Sequence, residues 1–138
     1  MQMGATTTRE QRLAWKPEDA IALLRRPGPD ETSTVALAMA EQLGAAGVPI
    51  DALDMCVMFW SRALDGLNPG PIPPDRLARL DSELASETRG SPVLGAWLAA
   101  LRQPVAVAHD LDHVIRFLMQ VRQTWSMTAR FPSRGETA

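Results

Sequence analysis

The two histidines of this chain lie four residues apart, in the segment His109-Asp110-Leu111-Asp112-His113. Residues four apart lie on the same side of a helix, so both imidazoles can bind one divalent transition metal ion, with Asp112 or Asp110 as a third ligand. Three protein ligands leave a position open for water, as in metal-dependent hydrolases. The segment therefore supports one enzymatic hypothesis: a small metal-binding protein or hydrolase that uses His109, Asp112 and His113.

A structural interpretation of the same segment is simpler, and we favour it. Asp110 is a natural N-cap for the last helix, and in that position it leaves His109 ahead of the helix and out of line with His113. Asp112 and Arg116 stand at i and i+4 in the order that favours an ion pair. The chain has no third histidine for a phosphohydrolase of the His-Asp type. We therefore expect no cofactor, with a divalent metal ion as the alternative.

Other catalytic templates are absent from the sequence. It contains no Gly-x-Ser-x-Gly, no phosphate-binding loop, no dinucleotide-binding fingerprint and no Cys-x-x-Cys pair. Cys56 is the single cysteine, so an intramolecular disulfide is excluded and a reducing, cytoplasmic setting is expected. Its place on the apolar face of a predicted helix indicates a buried, unreactive thiol. We expect no catalytic residue in this chain.

Composition excludes further classes of protein. The net charge is −2, so the chain lacks the basic surface that nucleic-acid binding requires. No run of about 18 apolar residues predicts a membrane-spanning helix, and the first residues lack the apolar core of a signal peptide. Lys16 is the only lysine among many arginines, alanines and prolines, which is typical of a GC-rich bacterial genome. We expect a cytoplasmic bacterial protein that does not bind nucleic acid and does not insert into a membrane.

Residues that favour helices dominate the chain, prolines separate the segments, and no sustained alternation of apolar and polar residues indicates strands. The pattern predicts an all-α protein, a compact single domain of about six helices in hairpin pairs; a solenoid of helical repeats is the alternative. The predicted helices span 17–26, 33–44, 49–66, 74–88, 91–103, and a last one from between 105 and 110 to 128. The domain is expected at 15–130, between a flexible segment at 1–14 and a flexible tail at 131–138.

The predicted helix at 49–66 is apolar on two sides. The first side is a stripe at helical spacing that continues just past the helix: Ile50, Leu53, Cys56, Val57, Trp60, Leu64 and Leu67. The second side holds Met55, Met58 and Phe59 beside the charged residues Asp51 and Arg62, which argues against complete burial. The helix is therefore either central between two layers or presents its second side to a partner. Methionine suits the second interpretation because its flexible side chain adapts to binding surfaces.

These observations predict a non-enzymatic module for protein–protein interaction, such as an adaptor, a regulatory subunit or a chaperone-like protein. The predicted binding surface consists of Asp51, Met55, Met58, Phe59 and Arg62, with apolar side chains at its centre and charged ones at its rim. The partner is expected to be another protein or a second copy of this chain, which would make it a homo-oligomer.

Overall fold

Prolines and a serine open several helices of this protein where the sequence predicts a helix start. The computed structural model describes residues 8–25, 31–67 and 70–137, with side chains described as far as position 127. Pro17, Pro74 and Pro92 each occupy the start of a helix, where the missing proline N–H has no partner to lose. The hydroxyl of Ser91 caps the helix that begins at Pro92 by accepting the N–H of Leu94 at 3.4 Å.

The described residues form seven α-helices and no β-strand, which confirms the prediction of an all-α protein. The helices are α1 (Arg9–Leu13), α2 (Pro17–Leu23), α3 (Thr32–Ala45), α4 (Ile50–Leu64), α5 (Pro74–Glu87), α6 (Pro92–Arg102) and α7 (Ala108–Thr137). The last six correspond to the six predicted helices. An isolated antiparallel bridge between Pro71 and Val107 joins the connection before α5 to the connection before α7.

The two ends of the chain carry more helix than the sequence predicts. Residues 1–7 of the expected flexible segment lie outside the described residues, but Thr8 opens α1. Its hydroxyl accepts the Gln11 N–H at 3.1 Å, and the Gln11 side chain accepts the Thr8 N–H at 2.9 Å, which is a capping box. At the other end the backbone of α7 continues to Thr137, within the expected tail. Neither α7 nor any other described helix is both long and apolar enough to cross a membrane.

α3 occupies the centre of the fold, because it contacts α1, α2, α6 and α7. Its buried residues are Val35, Ala36, Ala38, Met39, Ala40 and Leu43. The small alanine side chains let neighbouring helices approach closely. α7 packs along both α3 and α4, and α5 covers a further side of α4. The sequence allows a central position between two layers for the predicted helix at 49–66. In the structure the central helix is α3.

The buried apolar side chains form one cluster that reaches from α2 to α7. Its largest fully buried members are Trp60, Trp97, Met39, Leu43, Leu53, Leu80, Leu94, Leu98, Leu111, Leu118, Val35 and Val121. The helical spacing of apolar residues in α7 defines one core face, and every residue of that face is buried: Leu111, Val114, Phe117, Leu118, Val121 and Trp125. Three of the four tryptophans, Trp60, Trp97 and Trp125, are buried in the same core, where their large rings contribute much of its apolar surface.

The side-chain amide of Gln42 connects three helices. Its Nε2 donates to the backbone carbonyls of Arg12 and Trp15 at 2.8 and 3.0 Å, at the end of α1. Its Oε1 accepts the indole N–H of Trp97 from α6 at 2.9 Å. Beside it, Arg12 binds both carboxylate oxygens of Glu41 at 2.6 and 2.9 Å. These bonds attach α1 to α3 and fix the orientation of a fully buried indole.

Replacing Gln42 with alanine should lower the free energy of unfolding by about 2–3 kcal/mol, because it removes the acceptor of the buried Trp97 N–H and a donor to the carbonyls of Arg12 and Trp15. Urea unfolding followed by circular dichroism at 222 nm measures this change. Gln123→Ala is the matched control, since Gln123 is exposed on α7 and its loss should change stability by less than about 0.5 kcal/mol. Equal effects of the two substitutions would contradict the role of Gln42.

Candidate functional site

α4 buries one side and exposes the other. The buried side consists of Leu53, Cys56, Trp60 and Ala63. The exposed side carries Asp51, Met55, Met58 and Arg62, which we call the outward stripe. Their spacings of four, three and four residues place these side chains in one line along the helix. Met55 and Met58 keep 37% and 42% of their surface exposed, so the structure brings four of the five predicted surface residues together outside the core.

Phe59, the fifth predicted surface residue, lies at the border of the outward stripe. It is partly buried and packs against the core cluster. The Arg62 guanidinium lies over its ring, 5.9 Å from the centroid, in a cation–π contact. The same guanidinium donates from Nη1 to Oε2 of Glu83 on α5 at 3.1 Å. Arg62 therefore contacts both the partly buried Phe59 ring and the Glu83 carboxylate of α5.

An ion pair between α4 and α7 borders the outward stripe, and sequence reasoning missed it. Nε of Arg122 donates to Oδ1 of Asp54 at 2.7 Å, and this hydrogen bond and the charge of Asp54 raise the pKa of Arg122. Met58 lies one turn after Asp54 on α4, and Met119 lies one turn before Arg122 on α7 with 57% of its surface exposed. Met119 could have been found from the sequence, because it falls outside the core face of α7.

Both histidines lie inside α7, on the same side of the helix. Their Nε2 atoms are 2.9 Å apart, and one imidazole donates a hydrogen bond to the other. The ring centroids are 4.3 Å apart and the ring planes meet at 75°. The i, i+4 spacing of His109 and His113 therefore places both ring nitrogens at one point on the surface of the protein.

The prediction that Asp110 is the N-cap of the last helix is wrong, because α7 begins at Ala108. Asp110 lies within the first turn, and its carboxylate accepts the backbone N–H groups of Ala106 and Val107 at 3.1 and 3.3 Å. A carboxylate in the first turn can satisfy the amides ahead of the helix, where the helix dipole also favours negative charge. The helix consequently starts early enough to include His109.

Asp112, the third predicted metal ligand, forms an ion pair with Arg116. Nε of Arg116 donates to its Oδ2 at 2.9 Å, which confirms the predicted i, i+4 ion pair. Within the described part of the chain, no three His, Cys, Asp or Glu side chains are grouped so that they could hold a metal ion. The structure thus joins His109 to His113 and leaves Asp112 with Arg116.

A cavity of about 350 Å³ opens beside the histidine pair, between α2, α6 and α7. Its apolar lining comes from Ile21, Leu24, Leu101, Val114 and Phe117, and its polar lining includes Arg25, Arg116 and Gln120 as well as the two histidines. The volume falls at the small end of the range of ligand pockets. The histidine pair therefore lies at the edge of a concave surface.

Cys56 lies on the buried side of α4, as the sequence predicts. Burial raises the pKa of its thiol from 9.0 to about 12, and the negative charge of Glu87 adds to the effect. Because the thiolate is the nucleophilic form, this thiol is inert in the folded protein at neutral pH.

Comparison with known proteins gives no match: no protein-family model, no curated protein and no solved structure matches the chain.

Cys56 in the folded protein should not react with Ellman's reagent at pH 8. In urea the unfolded chain should react at once and release the absorbance of one thiol per chain. Since the folded pKa is raised, the burial of this thiol costs no stability below pH 9 and lowers stability as the pH rises from 9 toward 12. Rapid labelling of the folded chain at pH 8 would show that Cys56 is accessible.

Proposed function

We propose that this chain is a non-enzymatic module for protein–protein interaction that binds through the outward stripe of α4, and that the partner it fits is a second copy of itself. One observation supports the choice of partner. The outward stripe has methionine at both of its inner positions, Met55 and Met58, and opposite charges at its two ends, Asp51 and Arg62, so it is complementary to a reversed copy of itself.

The symmetry centre of the stripe lies between positions 56 and 57. Both Asp51 with Arg62 and Met55 with Met58 are equally spaced about it. In a two-fold symmetric dimer, if residue i of one chain contacts residue j of the other, then residue j of the first chain also contacts residue i of the second. Antiparallel packing of two α4 helices about that centre places Asp51 opposite the partner's Arg62 and Met55 opposite the partner's Met58. The two charged pairs lie about 16 Å apart along the helix, at the two ends of an apolar centre.

The burial of methionine provides the favourable free energy of such a dimer. Met55, Met58 and Met119 are three of the four large apolar side chains that are exposed among the described residues. Their flexible thioether chains fill irregular gaps, which suits an interface between two convex helices. Exposed ion pairs contribute about 0.2–1 kcal/mol each, so Asp51 and Arg62 set the direction of packing more than its strength.

Arg62 can serve a partner while it keeps its present contacts. It donates to Glu83 from Nη1, and a guanidinium has five N–H donors. Its side chain remains 52% exposed beside Glu83. Asp51 forms no ion pair within 4.0 Å among the described residues and is exposed in the first turn of α4. Both ends of the outward stripe are therefore accessible to a second chain.

Light scattering on the tag-free chain over a concentration series should give the mass of a dimer. Asp51→Arg and Arg62→Asp should each weaken the dimer at least tenfold, because each creates two like-charged contacts. An equimolar mixture of the two variants should dimerise again, because every contact in the mixed dimer has opposite charges. The double variant should dimerise as well, with the charges exchanged.

Asp19→Arg is the control, since Asp19 lies in the first turn of α2 as Asp51 does in α4 and shares its interaction with the helix dipole. This variant should dimerise like the wild type. A chain that is monomeric at every concentration would overturn the choice of a second copy. A dimer whose two single variants do not recover on mixing would show that the interface lies elsewhere.

A further inference from the structure

We infer that His109 and His113 form a binding site for one divalent transition metal ion of square-planar or tetragonal preference, Cu²⁺ or Ni²⁺, on the outer side of α7. This inference is independent of the proposed dimer, because it depends on a different helix face. It assigns a two-histidine site and does not require Asp112 as a ligand.

The separation of the ring nitrogens carries the inference. Metal–imidazole bonds are about 2.0–2.1 Å long, so two nitrogens at neighbouring corners of a square lie about 2.9 Å apart, whereas two corners of a tetrahedron lie about 3.3 Å apart. The Nε2 atoms of His109 and His113 are 2.9 Å apart. The hydrogen-bonded pair therefore already holds both nitrogens at a spacing that one metal ion can bridge, and among divalent first-row ions an imidazole site binds Cu²⁺ most tightly.

The orientation of the rings agrees with a shared ligand. The centroids are 4.3 Å apart and the planes are inclined by 75°, so the rings meet edge-on. Both residues lie on one helix, whose backbone hydrogen bonds hold them at fixed spacing. A metal ion bound by both nitrogens lies to one side of the line that joins them, and small rotations of the two side chains admit it while the backbone stays in place.

The charges around the histidine pair allow a dication to bind. Arg25 and Arg116 line the neighbouring cavity, and the carboxylates of Asp110 and Asp112 lie on the same helix, so these four groups sum to zero. Arg116 is already neutralised by Asp112 at 2.9 Å. Both histidines are exposed, and the metal positions that the protein leaves open would be filled by water.

Calorimetric titration of the tag-free chain with Cu²⁺, and separately with Ni²⁺ and Zn²⁺, tests the site. One Cu²⁺ per chain should bind, with the electron paramagnetic resonance spectrum of a tetragonal centre that has imidazole nitrogen ligands. His109→Gln and His113→Gln should each lower the affinity at least tenfold. Asp112→Asn should change it less than twofold, because Arg116 holds that carboxylate.

The variant that carries both glutamines is the decisive control, because the whole chain contains only two histidines. It retains the amino terminus and every carboxylate, and its far-ultraviolet circular dichroism should match the wild type. Undiminished binding of Cu²⁺ to this variant would overturn the site. Binding of Zn²⁺ as tight as that of Cu²⁺, or a copper spectrum without imidazole nitrogens, would overturn the assigned geometry.

Discussion

The packing of α7 along α3 is the contact on which the rest of the structure depends. Half of the buried residues of α3 are alanines and α7 presents a continuous apolar face, so the two backbones can approach closely. Gly44, near the end of α3, lies against the indole of Trp125, where an added Cβ would come within 3.9 Å of its Nε1. At the other end Gln120 binds the hydroxyl of Ser33. With α7 fixed in this way, Arg122 faces α4 and reaches Asp54.

The exposed methionines follow from the size of the chain. A protein of 138 residues builds a single core, and α4 can turn only one of its two apolar sides into that core. On the buried side of α4, Trp60 and Leu53 are fully buried. α5 and α7 flank the helix but leave the line of Met55 and Met58 uncovered. An apolar line that the fold does not cover is the kind of surface that binding sites use.

Much of the fold could be predicted because its signals are local. Pro17, Pro74 and Pro92 mark helix starts through their own backbone chemistry, and the core face of α7 follows from its period. α1 was missed although Thr8 and Gln11 carry a capping-box pattern, because a five-residue helix is stable only through its contacts with α3. Those contacts join residues about thirty positions apart, and short patterns do not encode them.

The candidate sites show the same division between local and distant signals. The outward stripe lies on one helix, so helical spacing alone places Asp51, Met55, Met58 and Arg62 together. The Asp54–Arg122 pair joins residues 68 positions apart, and no local sequence pattern predicts a contact between them. The histidine pair is also local, but its alignment depended on where the helix begins. Asp110 was expected to be the N-cap and instead lies in the first turn of a helix that begins at Ala108, three residues before the start that such a cap implies. The same residues are compatible with either start, so the sequence pattern does not distinguish them.

The two surfaces depend on the fold to different degrees. The histidine pair needs only the first two turns of α7, because both side chains and the backbone between them belong to one helix. The outward stripe needs α4 to be held in place by its neighbours, and the Asp54–Arg122 pair is a direct contact between α4 and α7. A change that loosens α4 from α7 would therefore alter the surroundings of the outward stripe while it leaves the two imidazoles aligned. The charge of Arg122 consequently supports the position of α4 and has no part in the alignment of the histidine pair.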